Sequence, residues 1–310
     1  MFLKTKNSRI QQIHFSEIKD KGVSLFIKRE DELHTFISGN KYRKLKYNLE
    51  EASKLNHHTL VTFGGAYSNH IAATAAAGFE HNFKTIGVIR GDELATNIAE
   101  VIKTNPTLKF ASEHGMEFYF VSRSDYRTKT SHEFITKLND KFGEFYLVPE
   151  GGTNTFAVKG CEEILTEEDK QYDIICSAIG TGGTISGLIN SSKSHQNIIG
   201  FPALKGDFLQ GEIKKYVLKN NNWSLNTNYH FGGYAKISEE LITFINNFKS
   251  ETNIPLDPIY TGKMLFGIVD LIKKDAFKKG TKILAIHTGG LQGIDGMNLV
   301  LSKKNLPQIN

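Results

Sequence analysis

The sequence is short of cysteine, of proline and of long apolar runs. It has two cysteines and six prolines, and no stretch approaches the ~20 apolar residues that a membrane-spanning helix needs. Cys161 and Cys176 are too few for a disulfide framework, and neither lies in a CxxC pair or near a histidine cluster. We therefore expect two buried cysteines, no metal site and a soluble globular chain.

Charge of one sign is not concentrated anywhere in the chain. The net charge is only +5, and lysines and arginines are interspersed with acidic residues. We expect no nucleic-acid partner and no membrane partner, whereas an anionic small molecule would be attracted. The N-terminal MFLKTKNSRI has no apolar core of signal-peptide length, so a cytoplasmic protein is expected.

Short apolar runs alternate with helix-like segments along most of the 310 residues. This alternation predicts parallel sheets covered by helices on both faces, which is the doubly wound α/β architecture. The runs that we interpret as strands are residues 60–65, 85–91, 117–123, 145–149, 173–180, 197–204 and 282–290.

The segment GTGGT, residues 180–184, lies between a strand and a helical pattern. Glycines let successive backbone N–H groups converge on a phosphate, and the helix N-terminus adds positive potential. A tight turn between strand and helix would explain the same glycines. The GxGxxG pattern fails at Ile185 and GxxxxGK[ST] is absent, so NAD and nucleoside triphosphates are disfavoured. A small phosphorylated cofactor is the remaining interpretation.

Three more segments place polar groups where a strand ends or a helix begins: FGGAYSNH (63–70), DPIYTGK (257–263) and HTGG (287–290). Taken singly, Ser68 can be a helix cap, His70 and Tyr260 structural residues, and Thr288 a turn hydroxyl. In doubly wound folds, ligands bind at the carboxyl ends of the strands. The set therefore predicts one shared site.

Lys41 in FISGNKYRKL begins a predicted amphipathic helix over residues 41–55. A lysine at a helix N-terminus beside other cations loses its proton more easily, as a Schiff-base amine must. Without a cofactor partner, a solvated lysine on a basic face is the simpler interpretation. Arg43, Lys44 and Lys46 fall mostly on other faces and are expected to be supporting charge.

GNKYRKL (39–45) resembles the GNKxRKLE segment of the 1-aminocyclopropane-1-carboxylate deaminase and D-cysteine desulfhydrase family, and KRED (28–31) resembles that family's KR(D/E)D. SNH, GTGGT, YTGK and HTGG follow in the family's order, and the resemblance runs from about residue 25 to residue 293. These are pyridoxal 5'-phosphate enzymes of the tryptophan synthase β fold type. The resemblance implies two doubly wound open sheets with helices on both faces and a homodimer.

The resemblance also implies a division into domains. A larger cofactor-binding domain would comprise residues 1–46 and 152–310, and a smaller α/β domain residues 47–151. The active site would lie in the cleft between them. The glycine pair at 151–152, after which the pattern restarts, is the point in the sequence that marks the second boundary.

Carried over by position, the resemblance makes Lys41 the lysine that binds the cofactor covalently. Asn69 would bond the 3-hydroxyl of the cofactor, and Thr288 would lie near its pyridine nitrogen. Tyr260 would lie against the ring as a base or proton donor. The phosphate would be bound by Gly180, Thr181, Gly182, Gly183 and Thr184.

On the substrate side, Ser68, Asn69 and His70 would meet the carboxylate, and Tyr234 matches a tyrosine of the family's site less securely. Lys41, Tyr260 or Ser68 would remove the α-proton. Deaminase-like members have a glutamate at the position of Thr261, where a carboxylate would keep the pyridine nitrogen protonated.

Thr261 favours β-elimination from D-cysteine, giving pyruvate, ammonia and hydrogen sulfide. Alternatives are the cyclopropane deaminase, a racemase or another lyase, and a noncatalytic metabolite binder. Residues 190–230, with the polar run KNNNWSLNTN, match no part of the family pattern and put D-cysteine itself in doubt more than the cofactor.

Overall fold

The computed structural model describes residues 2–218 and 221–310, so Lys219 and Asn220 at the start of KNNNWSLNTN lie outside the described residues. The strands are β1 (Ile10–Ile13), β2 (Ser24–Lys28), β3 (Thr59–Gly64), β4 (Lys84–Arg90), β5 (Glu117–Val121), β6 (Tyr146–Val148), β7 (Ile174–Ile179), β8 (Asn197–Pro202), β9 (Trp223–Leu225) and β10 (Lys282–Ile286). The helices are α1 (Asn40–Lys54), α2 (Asn69–His81), α3 (Ile98–Thr104), α4 (Pro106–Glu113), α5 (Arg123–Arg127), α6 (His132–Phe142), α7 (Thr155–Glu162), α8 (Gly183–Ser191), α9 (Phe208–Lys214), α10 (Glu239–Thr252), α11 (Thr261–Lys273) and α12 (Gly293–Lys303).

The strands form two open sheets. One has six strands in the order β1-β2-β10-β7-β8-β9, and the other has four in the order β5-β4-β3-β6. All pairs are parallel except β1 with β2, which are antiparallel. Helices separate the parallel strands, as such crossovers require. The predicted doubly wound α/β class with two open sheets is confirmed.

Each sheet reverses its strand order once. In the four-stranded sheet the reversal lies at β3, which has β4 on one side and β6 on the other; in the six-stranded sheet it lies at β7, between β8 and β10. Crevices for ligands open at the carboxyl ends of the strands at such switch points. The loops that follow β3, β7 and β10 are the three strand-end segments that the sequence singled out.

All seven predicted strands are present, but three short ones were missed. These are β1, β2 and β9, of four, five and three residues. β1 reads IQQI and β9 reads WSL, so neither offers enough alternation to show a strand period. β9 pairs with β8, a contact that local sequence does not encode.

The side chains of the KRED segment, residues 28–31, form buried ion pairs within the protein. Lys28 pairs with Asp169 at 2.6 Å, Arg29 pairs with Asp31 at 2.7 Å, and Glu30 accepts from Arg43 of α1 at 2.8 Å. All of these side chains are buried. Removing one partner of a buried ion pair strongly destabilises the folded protein, because the other charge is left unpaired. The segment therefore fixes α1 to the six-stranded sheet.

Helices α1 and α7 pack in very close contact. A Cβ on Gly160 of α7 would lie 2.0 Å from the carbonyl oxygen of Arg43, so only glycine fits there. Lys46 of α1 pairs with Glu163 at 2.6 Å beside this contact. The orientation of α1, and with it the position of Lys41, is fixed by packing and by ion pairs together.

None of the helices formed by the described residues combines the length and the apolar character needed to cross a membrane. The predicted domain boundaries at 46/47 and 151/152 stay predictions. The two sheets are compatible with these boundaries. The six-stranded sheet is built from strands within residues 10–28 and 174–286, and the four-stranded sheet from strands within residues 59–148.

Candidate active site

The N-terminus of α1 is joined to the HTGG loop by backbone contact. The N–H of Asn40 donates to the carbonyl oxygen of Thr288 at 3.2 Å. Gly39 has a φ of +63°, and a Cβ there would lie 2.0 Å from the same oxygen. Only a glycine at residue 39 permits this approach. It places Lys41 beside the carboxyl end of β10.

Lys41 is partly buried, and its Nζ donates to Oδ1 of Asn40 at 2.8 Å. Burial, and secondly the charge of Lys44, lower the pKa of Lys41 to about 7. Nδ2 of Asn40 in turn donates to Oγ1 of Thr184 at 2.8 Å. The amine is thus connected to the glycine segment after β7 and is ready to exchange protons near neutral pH.

Lys44 lies one helical turn beyond Lys41 and is only 3 % exposed. Its Nζ donates to the carbonyl oxygen of Gly151 at 2.9 Å and to the hydroxyl of Thr153 at 3.0 Å, with the Thr181 hydroxyl at 3.4 Å. Burial lowers its pKa to about 8. Within the described residues it has no carboxylate partner, so this cation is held beside residues 180–184 without a protein anion.

Arg43, Lys44 and Lys46 were expected to be supporting charge, and the ion pairs of Arg43 and Lys46 fit that role. All three are buried rather than on an exposed basic face: Arg43 is 1 % exposed and Lys46 2 %. They are buried because α1 packs against α7 and the N-terminal segment, which supply Glu163 and Glu30. Lys44 was the functional candidate that sequence reasoning missed. Its spacing of three from Lys41, which puts both on one helix face, was the available signal.

Residues 180–184 have the geometry of an anion cup. Helix α8 begins at Gly183 after Gly182, which is left-handed at φ +89°. A Cβ on Gly183 would lie 3.3 Å from Nζ of Lys44. The hydroxyls of Thr153 and Thr181 are 2.5 Å apart and face the same lysine. Backbone amides at a helix N-terminus, an ammonium and two hydroxyls suit a phosphate monoester.

The SNH segment caps α2. Oγ of Ser68 accepts from the N–H of His70 at 3.2 Å and from that of Ile71 at 3.4 Å, so the predicted N-cap is confirmed. Oδ1 of Asn69 is buried and has no hydrogen-bond partner in the described structure. Buried polar atoms are almost always paired, and an orphan at a strand-end crevice indicates a ligand group.

His70 is turned into the core. Its Nε2 lies 2.7 Å from the Thr62 hydroxyl, which donates to the Val148 carbonyl oxygen, so Nε2 carries the proton. Burial and the charges of Lys41 and Lys44 lower the pKa of His70 well below its usual value. The neutral imidazole connects the start of α2 to β3 and β6 through the Thr62 hydroxyl. Its predicted contact with the substrate stays a prediction that this geometry does not favour.

Tyr260 faces the cup from α11. A Cβ on Gly180 would lie 3.2 Å from the Tyr260 ring and 3.4 Å from its hydroxyl. The ring of Tyr234 lies 6.3 Å from that of Tyr260, centroid to centroid, at 62°. Burial, together with Tyr234 and Asp257, raises the pKa of Tyr260 well above its usual range. The phenol therefore holds its proton and acts as a donor.

Thr261 does not offer a free hydroxyl. Its Oγ1 donates to Oδ1 of Asp257 at 2.7 Å and accepts the N–H of Asp257 at 2.9 Å. The same carboxylate accepts from the N–H groups of Ile259, Tyr260 and Thr261. Asp257, which sequence reasoning passed over, thus anchors the N-terminus of α11, and the carboxylate's bonds are directed into the protein.

The hydroxyl of Thr288 makes no hydrogen bond with another described residue, and the side chain is 7 % exposed. A Cβ on neighbouring Gly290 would lie 2.8 Å from Nδ2 of Asn69 and 3.3 Å from Cγ of Asp257. The loops after β3 and β10 and the start of α11 therefore meet. Short contacts connect this region to the anion cup. On one side Lys41 bonds to Asn40, which bonds to Thr184, and on the other side Tyr260 lies against Gly180.

These residues fit pyridoxal 5'-phosphate. The orphaned Asn69 oxygen suits its 3-hydroxyl, the cup with unpaired Lys44 suits its phosphate, and Lys41 supplies an amine. The structure brings the predicted site residues together. Tyr234, which is 43 % exposed, lies at the edge of the set beside Tyr260, and Nε2 of His70 is engaged by the Thr62 hydroxyl.

Comparison with known proteins agrees with this fit. The sequence model of a family described as "Pyridoxal-phosphate dependent enzyme" matches residues 5–289. A bifunctional D-cysteine desulfhydrase/1-aminocyclopropane-1-carboxylate deaminase of Arabidopsis thaliana is 32% identical over 88% of this chain and 74% of its own length. A D-cysteine desulfhydrase of Klebsiella pneumoniae is 26% identical over 87% of each chain.

Solved structures are also similar to this chain. The crystal structure of an ACC deaminase homologue superimposes with a TM-score of 0.79 at 29% identity, covering 96% of this chain and 95% of that one. An O-acetylserine dependent cystathionine β-synthase of Helicobacter pylori has a TM-score of 0.67 at 14% identity over 94% and 95%, which supports the fold alone.

The fold and the site together define the tryptophan synthase β class of pyridoxal-phosphate proteins. The chain belongs to the family of pyridoxal-phosphate dependent enzymes. Its relatives are lyases named as deaminases and desulfhydrases, so the predicted enzyme class, cofactor and family resemblance are confirmed.

Proposed function

We propose that the protein catalyses β-elimination from a small D-amino acid, with D-cysteine as the first candidate. One water is consumed, and the products are pyruvate, ammonia and hydrogen sulfide. The observation that supports this reaction over cyclopropane opening is the pair formed by Thr261 and Asp257. The single carboxylate at the start of α11 is occupied by four hydrogen bonds from the protein.

The electron demand of the two reactions differs. Opening an unactivated cyclopropane benefits from a protonated pyridine nitrogen, which a facing carboxylate maintains. Elimination of a good leaving group such as a thiol depends less on protonation of the pyridine nitrogen. Thr288, with its unbonded hydroxyl, is our candidate for the group beside that nitrogen, and a neutral hydroxyl does not hold a proton there.

A second candidate is 1-aminocyclopropane-1-carboxylate deamination to 2-oxobutanoate and ammonia. The name of the Arabidopsis relative combines both activities, and that relative is 32% identical. The two reactions therefore occur together in at least one similar protein, and both substrates belong in the test.

When bound, the cofactor supplies an electron sink for the carbanion left by loss of the substrate's α-proton. The residues of the chain move that proton. Lys41 is the base that we assign to this proton, since a pKa lowered to about 7 makes a neutral amine accessible near physiological pH. Lys44 and residues 180–184 hold the phosphate and thereby fix the reacting geometry.

Tyr260 and Ser68 take the remaining roles. Tyr260 keeps its proton because its pKa is raised by burial, so it donates to the departing sulfur rather than removing a proton. Ser68 accepts two backbone N–H bonds, which leaves its own O–H to donate to the substrate carboxylate. Asn69 and the N-terminus of α2 would bind the same carboxylate.

The test is a substrate panel with purified holoenzyme. D-cysteine, L-cysteine, D-serine and 1-aminocyclopropane-1-carboxylate are compared while sulfide, keto acid and ammonia are measured, with Lys41→Ala as the inactive control. We expect kcat/KM to be highest for D-cysteine. Faster turnover of the cyclopropane acid would reverse the assignment, and no turnover of any substrate would favour a metabolite binder.

The remaining sequence predictions become proposals of the same kind. We propose a homodimer in the cytoplasm, and a cleft between a domain of residues 1–46 and 152–310 and a domain of residues 47–151. The family resemblance supports the homodimer, and the two separate sheets support the division into domains.

A further inference from the structure

The segment around Tyr234, residues 231–235, has an unusual backbone. Phe231 and Ala235 are in the left-handed region at φ 53° and 54°, and Gly232 and Gly233 lie at 88° and 117°. A non-glycine residue in that region costs about 1 kcal/mol or more. Such a segment keeps one conformation only when its surroundings hold it there.

Helix α11 provides that hold through Lys263. Its Nζ donates to the carbonyl oxygen of His230 at 2.9 Å and to that of Gly233 at 2.8 Å. The side chain is 2 % exposed and, among the described residues, has no ion-pair partner. Burial lowers its pKa to about 8, with Asp257 acting in the opposite direction. With no ion-pair partner among the described residues, the buried ammonium depends on its hydrogen bonds to these two carbonyl oxygens, and Asp257 adds a favourable electrostatic contribution.

Two further anchors lie on the same face of α11. A Cβ on Gly267 would lie 2.8 Å from the ring of Tyr229, and the Tyr229 hydroxyl donates to Asp270 at 2.7 Å. Residues 263, 267 and 270 are spaced i, i+4 and i+7, so they form one stripe along the helix. The chain from residue 229 to residue 233 follows this stripe toward the helix N-terminus.

Tyr234 comes directly after the last anchored carbonyl. Its ring meets that of Tyr260, the residue that precedes α11, at 6.3 Å. One helix therefore presents Tyr260 at its N-terminus and, one turn later, the ammonium that fixes the approach of Tyr234.

We propose that Lys263 is a positioning residue whose ammonium, bonded to the carbonyl oxygens of His230 and Gly233, holds residues 230–234 on α11 so that Tyr234 stands beside Tyr260 at the substrate. The inference rests on the proposed function for the role of the two tyrosines. The hydrogen bonds from Lys263 to residues 230 and 233 do not depend on which substrate is used.

The first measurement is amide hydrogen exchange of holoenzyme, followed by mass spectrometry of peptides covering residues 230–236. Lys263→Met removes the charge at similar length, Lys263→Gln keeps N–H donors without charge, and Lys273→Met on the exposed part of α11 is the matched control. We expect exchange in 230–236 to be at least tenfold faster in Lys263→Met, less accelerated in Lys263→Gln and unchanged in the control. Unchanged exchange in both Lys263 variants would overturn the proposal.

The second measurement is a double-mutant cycle on kcat/KM with D-cysteine or the panel substrate that is turned over. Lys263→Met should lower kcat/KM about tenfold in the wild-type background, since small displacements of a site group are costly. In a Tyr234→Ala background the same change should cost less than twofold. An equal loss in both backgrounds would show that Lys263 does not act through Tyr234.

The two measurements separate this proposal from the proposed function. If no panel substrate reacts, the elimination chemistry fails while the exchange data still decide whether Lys263 holds the segment. If Lys263→Met does not fold, Lys263→Gln provides both measurements.

Discussion

Two lysines one turn apart on α1 have different surroundings and, in our account, different tasks. Among the described residues, Nζ of Lys41 bonds only to the neighbouring Asn40, whereas Nζ of Lys44 bonds to three groups at the anion cup. Burial lowers the pKa of both lysines, and the charge of Lys44 lowers that of Lys41 further. An anionic cofactor relieves that repulsion.

Replacing Lys44 by methionine tests its part in binding phosphate. The loss of a charge-assisted bond to phosphate is worth about 1.5–3 kcal/mol, so the affinity of the apoprotein for pyridoxal phosphate should fall roughly tenfold to hundredfold. Titration of apoprotein measures this directly. Lys54→Met, at the exposed end of the same helix, should bind as wild type. Equal affinity in all three proteins would contradict the assignment.

The lowered pKa of Lys41 predicts a specific pH dependence. Because a lysine with a pKa of about 7 is mostly neutral above that pH, its acylation rate in apoprotein should rise up to about pH 7 and then level off. Exposed lysines, with ordinary pKa values near ~10.4, should react faster with each pH unit up to about 10. Competitive labelling with trace acetic anhydride and peptide mass spectrometry would measure both. A Lys41 profile that parallels the exposed lysines would contradict the lowered pKa.

Sequence patterns found the side chains that lie at motif positions and missed those defined by packing. Lys41, Asn69 and residues 180–184 were visible because glycines and strand ends mark them. Lys44 and Asp257 were not, since the role of Lys44 depends on the loops that bring Gly151, Thr153 and Thr181 close, and that of Asp257 on the start of α11. The turn of the His70 ring toward Thr62 likewise depends on tertiary contact.

At the level of strands and helices, the site is assembled by close backbone contact as much as by side chains. Gly39 touches Thr288, and the loop after β10 reaches Asn69 through Gly290. These contacts couple the start of α1 to two strand ends. The sequence predicted seven strands, including the three-residue β6, and the helices that follow the motif segments, but it missed β1, β2 and β9.

Gly39→Ala should disrupt the alignment of α1 with the HTGG loop. The added Cβ would lie 2.0 Å from a backbone oxygen, at φ +63°. Gly115→Ala is the matched control, because Gly115 has φ +74° with nothing within 4 Å of its Cβ position. The control should lose about 1 kcal/mol of stability and keep cofactor affinity. Gly39→Ala should lose more stability and at least tenfold in affinity, as thermal unfolding and titration would show. Identical behaviour of the two variants would argue against the contact.

At the scale of the whole molecule, the candidate site takes residues from loops of both sheets. Asn69 follows β3 of the four-stranded sheet, and Gly180 follows β7 of the six-stranded sheet. Periodicity could predict each sheet separately, whereas how the two sheets meet depends on contacts far apart in sequence, such as Lys44 with Gly151 and Thr181.

Removing the cofactor should therefore loosen both sides of the site. Hydrogen exchange in peptides covering residues 64–70 and 180–184 should accelerate together in apoprotein, and restoring pyridoxal phosphate at a hundredfold excess over its Kd should stabilise the fold by about 2.7 kcal/mol. Peptides from α6, remote from the site, serve as the control. Acceleration on one side only would mean that the cofactor is held by one sheet.

The most direct test of the account is to locate the lysine that carries the cofactor. Holoenzyme is reduced with borohydride, digested and analysed by mass spectrometry, which fixes pyridoxal phosphate permanently to the lysine that holds it. Three lysines, at residues 41, 44 and 263, have pKa values lowered to about 7, 8 and 8 by burial, so each is a chemically reasonable target. The account predicts modification of Lys41 alone. Modification of Lys44 or Lys263, or of no lysine, would contradict it.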